Sequence, residues 1–254
     1  MNAFFKTAPF IKMKIYITAI LVGSMLACKT AELKVDQDLK NETEIYTVKG
    51  RQGSLIGQTL SFGTFKTNKI KRGWTFGYSI PFIVKFNGAS EKISFTQFDA
   101  NGLGADVALV SKFRETELSP LEDYFSISLK YKNFCAGSVK INETGWDFIV
   151  HNIDGAERSL KGNSTAGFIR NGQSRIEITG IRELEGASKL LTQNDVYGYE
   201  FRRAGKVIGA VSTINNGKVW FRNGLDEEMK LVLASVSSGL MLRNSVEDEA
   251  LSLK

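Results

Sequence analysis

The chain has 254 residues, 43% of them hydrophobic, with 33 basic and 27 acidic side chains and a formal net charge of +6. That length and apolar content can bury a sizeable core. The single histidine excludes multi-histidine zinc sites, and proline is too scarce for a Pro-rich linker to divide the chain. One large domain is therefore expected.

The N-terminal segment is basic and then apolar. Lys6, Lys12 and Lys14 precede Cys28 with no acid among them, so without this segment the side-chain charge is +3 (6 − 3). Such mild basicity does not call for nucleic acid as a partner. "IYITAILVGSMLA", residues 15–27, is uncharged and ends on small Ala27. A membrane-spanning helix needs roughly 20 apolar residues. The run is shorter, so it reads as a cleaved export signal, for which Met13 offers a second possible start.

Cys28 follows directly. Met25, Leu26, Ala27 and Cys28 occupy the places of a lipobox, and the segment resembles a bacterial lipoprotein signal. Ala27 and Cys28 match that pattern, whereas Met25 and Leu26 depart from its commonest form. The resemblance implies lipidation of Cys28 and cleavage before it. The partner is then membrane lipid, through a covalent anchor. Each buried methylene contributes about 0.8 kcal/mol, and two chains hold stably where one does not. Lys29 is not Asp, which under the enterobacterial sorting rule leans toward the outer membrane. Cys135 then has no disulfide partner and reads as a small buried hydrophobe; a Cys28–Cys135 disulfide is the alternative if Cys28 is unmodified.

Residues 29–41, "KTAELKVDQDLKN", mix charges with few apolar groups and read as a polar tether. Fully extended, they would reach on the order of 40 Å. From residue 44 onward, short segments rich in β-branched and aromatic residues recur. They include 44–50, 54–62, 81–88, 91–99, 106–113, 124–132, 137–141, 146–153, 174–181, 197–203, 206–213 and 218–221. Asn87-Gly88, Asn101-Gly102, Asp154-Gly155, Asn171-Gly172, Asn216-Gly217 and Asn223-Gly224 supply tight turns. The expected fold is all-β and mainly antiparallel, a barrel or sandwich of about a dozen strands. Residues 119–125 and 184–195 each have room for a short helical turn.

The last element differs. Residues 225–243 begin with Asp226 as N-cap and Glu227 and Glu228 at the positive end of the helix dipole. Its apolar residues, Met229 through Leu242, point in nearly every direction, and Ser235, Ser237, Ser238 and Gly239 fill the gaps. A helix apolar all round is buried all round. Two strands followed by an acid-capped hydrophobic helix, Val196 to Arg243, resemble the close of tubby-like and scramblase-like domains. That resemblance implies a closed barrel wrapped around its C-terminal helix. A sandwich with the helix across one open end is the alternative. The whole chain also looks like lipoproteins of Bacteroidota-type bacteria, a family from which no activity carries over.

Catalytic patterns are absent from the sequence. His151 lies near a turn with no nucleophile motif beside it and reads as a strand-end polar residue. "GNSTAG", residues 162–167, has the wrong spacing for a nucleophile elbow and reads as a turn. Asp99 and Asn101 imitate a calcium loop, but Gly102 comes too early, so a hairpin is expected. The basic cluster is Lys66, Lys69, Lys71 and Arg72, followed by Trp74, and a second group, Arg202, Arg203 and Lys206, reads as hairpin decoration. On a strand, Lys69 and Lys71 share one face, with Ile70 and Arg72 on the other. By analogy with tubby-type domains it is a candidate patch for anionic lipid headgroups or an envelope protein; a solvated strand face is the plainer reading.

The expectation is a non-enzymatic, lipid-anchored cell-envelope protein with a binding or scaffolding domain and no cofactor or metal. The alternative is a periplasmic carrier of a small apolar ligand, which would need an empty barrel. An envelope hydrolase is the third possibility.

Overall fold

The fold is described from a computed structural model, over residues 30–73, 91–111, 124, 133–152, 165–188 and 195–243. Cys28, Trp74, the segments 81–88 and 125–132 and the export signal lie outside these residues.

The segment from Leu33 onward is one compact unit. A short helix α1 (Gln37–Asn41) precedes strands β1 (Thr43–Thr47), β2 (Ser61–Phe62), β3 (Phe65–Thr67), β4 (Lys71–Arg72), β5 (Glu91–Phe98) and β6 (Gly104–Ser111). Next come β7 (Asn133–Ile141), β8 (Thr144–Asn152), β9 (Thr165–Arg170), β10 (Arg175–Ile181), β11 (Gly198–Arg203), β12 (Lys206–Ser212) and β13 (Lys218–Arg222). The last element is helix α2 (Glu227–Leu242).

All strand pairs in the sheet are antiparallel. The path runs β1-β13-β12-β11-β10-β9-β8-β7-β6-β5-β3-β2, with β4 also on β5. Its two ends meet where Lys49 and Ser61 exchange backbone hydrogen bonds of 2.8 and 3.0 Å. The sheet is therefore a nearly closed barrel, which leaves almost no free edge.

Helix α2 lies inside it. From Met229 to Leu242 every residue but Lys230 is buried. The interior cluster unites Val232, Val236 and Leu240 with Phe95, Leu109, Phe148, Phe201 and Phe221 from strands around the barrel. Asp226 caps the helix, its Oδ1 accepting from the Met229 N–H at 2.7 Å. Small residues allow close approach: a Cβ on Gly239 would lie 3.0 Å from Leu109 Cδ2. Ser235 Oγ donates back to the Leu231 carbonyl at 2.7 Å, and Ser238 Oγ donates to Gln97 Oε1 of β5 at 2.7 Å. The Ser235 and Ser238 hydroxyls are thereby satisfied in an apolar interior, whereas Ser237 Oγ is buried without a hydrogen-bond partner.

One expectation is corrected. The polar tether of residues 29–41 does not extend through Asn41. Leu33, Val35 and Leu39 are 3%, 5% and 0% exposed, and they pack on Ile181, Val207, Ala210 and Trp220 outside the barrel. The charges between them pair with the barrel. Lys34 meets Glu183 at 2.7 Å, Lys40 meets Glu185, and Asp36 caps α1 while its N–H donates to Glu200 at 3.0 Å. At the end of this strap Glu42 meets Arg222, whose Nε donates to the Val207 carbonyl at 2.7 Å. The domain therefore begins at Leu33, not at residue 44. The turn expected at 162–167 is also revised, because β9 starts at Thr165 and pairs with β8 and β10.

The buried helix generates a direct prediction. Val236 is fully buried, so Val236→Asp places an unpaired charge in the core, a change expected to cost several kcal/mol. Circular dichroism and thermal melting should show no folded protein. A soluble, cooperatively melting Val236→Asp variant would contradict the enclosed-helix arrangement.

Candidate functional site

The strand directions give the barrel two unlike ends. At one, β2–β3, β5–β6, β7–β8, β9–β10 and β11–β12 are joined by the short connections 63–64, 99–103, 142–143, 171–174 and 204–205. The 99–103 hairpin is tied by Asp99, whose Oδ1 accepts from the N–H groups of Asn101 (2.9 Å) and Leu103 (2.8 Å). That places the calcium-like sequence in a hairpin, as expected. At the other end the strands flanking the longer connections 48–60, 73–90, 112–132, 153–164 and 182–197 stop and restart. The C-terminus of α2 points to this second end. Recognition residues concentrate on long connections held by a rigid scaffold.

The predicted basic cluster is spread along the barrel wall beside β5. Lys66 pairs with Phe98, toward the short-turn end. Lys69 and Lys71 are exposed on either side of buried Ile70, beside the middle of β5, where Lys71 pairs with Ser94. Arg72 is not a free cation. Its guanidinium meets Glu91, which also accepts from Ser111 Oγ at 3.0 Å, and its Nη2 donates to the Leu242 carbonyl at 2.8 Å. A cation on the last turn of α2 satisfies an orphan carbonyl and complements the helix dipole. Arg72 is therefore a fastener between barrel wall and helix.

Sequence reasoning missed the loop beside these lysines. Residues 54–62 were expected to be a strand, but only Ser61–Phe62 is one. Before it, Gln58 organises a loop from within, 5% exposed. Its Oε1 accepts from the Gln52 N–H at 2.8 Å, and its Nε2 donates to the carbonyls of Gly53 (2.8 Å) and Leu55 (2.9 Å). Gly57 N–H donates to the Ile70 carbonyl at 3.0 Å, and Ile70 N–H donates to the Gln58 carbonyl at 2.9 Å. The loop thus stands directly against the Lys69–Lys71 strand. Arg51 fastens its base to the β12–β13 hairpin, donating to the Thr213 and Asn215 carbonyls at 2.7 and 3.1 Å. The glycines at positions 53 and 57 have positive φ, 55° and 78°, which suits a tight fold. At the tip Leu55 is 55% and Ile56 73% exposed. Fully burying such a side chain stabilises by about 1.5–3 kcal/mol, so two aliphatic neighbours held in water are a deliberate-looking exposure. Leu55 and Ile56 border a shallow open depression of about 270 Å³.

The other sequence candidates lie elsewhere. His151 is in β8, opposite Phe134 and Ala166, and burial lowers its pKa from the ordinary 6.5. Nearby on the same strand, burial raises the Asp147 carboxyl, partly offset by the Tyr124 hydroxyl that it accepts from and by Arg170. Cys135 is fully buried in β7, and burial pushes its thiol up to about 12. Among the described residues no group of three or more His, Cys, Asp or Glu side chains converges on a possible metal position, and no helix is long and apolar enough to cross a membrane. No family model matches this sequence, and none of the curated proteins or solved structures compared with it is similar.

Two predictions follow from these side chains. The unfolded chain protonates His151 before the folded one does, so its contribution to stability is intact above the ordinary value of 6.5 and declines as pH falls through it. The denaturation midpoint of His151→Gln should fall less between pH 7 and pH 5 than that of the wild type. For Cys135, alkylation at pH 8, followed by mass analysis of its peptide, should be negligible in the folded protein and complete in denaturant.

Proposed function

We propose that this chain is a lipid-anchored protein of the cell envelope, held by a lipidated Cys28, whose barrel is a non-enzymatic module for binding or scaffolding. The anchor rests on the order of charge, apolar run, Ala27 and Cys28. Lys29 after the cysteine favours the outer membrane. The observation that carries the module reading is the filled barrel: α2 takes the volume that a carrier of apolar ligands would keep open. Binding is thereby directed to the outer surface.

The carrier remains the rival because barrels of this class do hold ligands when empty. Native mass spectrometry of the extracted protein separates the two: bound lipid in stoichiometric amount supports a carrier, and none supports the filled module. The anchor is tested by Cys28→Ser and membrane fractionation. The substituted protein should lose the lipid mass and shift to the soluble fraction. A processed Cys28→Ser protein that stays membrane-bound as the wild type does would refute the covalent anchor.

A further inference from the structure

The strap that replaces the expected tether is held differently from the rest of the domain. The barrel closes without it, since the strand path from β1 round to β2 is joined at Lys49 and Ser61. The strap adds only the isolated Leu33–Leu184 bridge, beside which the Lys34 N–H donates to the Glu183 carbonyl at 3.0 Å. At its far end the Glu42 carbonyl accepts from the Asn223 N–H at 2.9 Å. Between these points it is held chiefly by side chains. Leu33, Val35 and Leu39 cover an outward-facing apolar strip that includes Val207, Ala210 and Trp220. Around them lie the ion pairs Lys34–Glu183, Lys40–Glu185, Arg202–Asp36 at 3.8 Å and Arg222–Glu42. The lysines and acids of these pairs are at least part-exposed, and exposed pairs contribute little and are screened by salt. The entropy lost in ordering residues 33–42 is of the same order as the gain from burying three aliphatic side chains. Strand β1, in contrast, is paired with β13 from Thr43 to Thr47. Local opening therefore takes the strap first and stops at β1.

The strap also decides where the chain joins the barrel. Leu33 lies against Gly198, which pairs with Ile181 and Ser212 at the long-connection end. Glu42 and Thr43 lie beside Asn223 and Arg222 at the other end, where Asp226 starts α2. We propose that the strap is a releasable clasp that sets both the length of the tether and the end of the barrel from which it leaves. Clasped, the link from Cys28 ends at Leu33 and spans at most about 18 Å, at 3.3–3.6 Å per residue. Released, it ends at Thr43 and spans up to about 50 Å. Its point of attachment moves from the long-connection end to the short-turn end, so the released barrel is free to turn over relative to the membrane. Screening of the ion pairs and tension along the link both favour the released form. The two tether lengths rest on the anchored reading above; the release of the strap does not.

Hydrogen exchange read by mass spectrometry on the full-length protein in detergent tests the release directly. Peptides covering residues 34–42 should exchange at least about a hundredfold faster than those of β12 and β13. Raising sodium chloride from about 0.05 M to about 0.5 M should speed the strap by about threefold and leave the barrel unchanged. One common rate for strap and barrel overturns the clasp, and a strap rate unmoved by salt overturns the part given to its ion pairs. Val35→Asp places a charge against the apolar strip and should release the strap while the barrel still melts cooperatively; a barrel that unfolds with it overturns the proposal. The change of attachment is read in phosphatidylcholine vesicles holding a fluorescent acceptor lipid. Donor dyes are placed on Asn216→Cys at the long-connection end and on Glu143→Cys at the short-turn end. Buried Cys135 does not compete for dye. With the native strap, energy transfer should be stronger from position 216, and Val35→Asp should abolish or reverse that difference. Equal transfer with the native strap, or a difference that survives Val35→Asp, overturns the change of attachment. Intact mass reports Cys28 separately: an unmodified Cys28 overturns the anchored reading alone, because exchange of the strap is measured without a membrane.

Discussion

The structure depends on enclosing one helix that has no polar face. Met229, Leu231, Val232, Leu233, Val236, Leu240, Met241 and Leu242 all carry side chains that water disfavours, and they point in all directions around α2. Packing against one sheet would bury half of them. Only a wall that closes around the helix removes them all from water. That requirement explains the nearly closed sheet, and it explains the small residues within the helix. Gly239 stands where Leu109 approaches, and the serines point into a wall with little spare volume. Ser235 finds an acceptor in its own helix and Ser238 finds one on Gln97, while Ser237 Oγ is left without a partner.

A helix inside a barrel has two ends that need treatment of opposite kinds. The N-terminal end has Asp226 accepting from a free N–H, with Glu227 and Glu228 in the first turn. The C-terminal end has the Arg72 guanidinium on the Leu242 carbonyl, the charge itself balanced by Glu91. Arg243 also lies there, its guanidinium 5.8 Å from the Tyr199 ring centre. The barrel wall thereby contributes directly to the helix cap. The same geometry makes Arg72 unsuitable as a surface cation, although its sequence neighbours Lys69 and Lys71 are surface cations.

The fold was largely legible, and the reasons are local. Period-two alternation and Asn-Gly turns marked most strands, because most strands turn one face to the barrel interior. The helix was marked by its missing polar face and by Asp226. The strap was not legible as packed structure. Leu33 and Val35 alternate while Leu39 belongs to a helical turn, so neither period persists long enough to register. Its charges suggested solvent, yet they meet barrel charges far away in sequence, such as Lys34 with Glu183. In the candidate site, the side of the strand occupied by Lys69 and Lys71 followed from alternation alone. The occupation of Arg72 did not, because it depends on Glu91 and the Leu242 carbonyl, which the fold brings to it. The Leu55–Ile56 tip was hidden for a related reason. An aliphatic pair followed by Gly57 and Gln58 reads as a strand until the Gln58 side chain is seen folding the loop around itself.

On the proposed anchoring at Cys28, docking of the strap changes the mechanics of the domain. A free tether of residues 29–41 would let the barrel stand on the order of 40 Å from the membrane and tumble there. With residues 33–42 fixed along the barrel wall, the remaining link is too short for either. Orientation is then limited by where the strap begins rather than by any strong lipid contact. Under that constraint a few modest contacts suffice to select one pose, since each acts at the high effective concentration that a short link imposes.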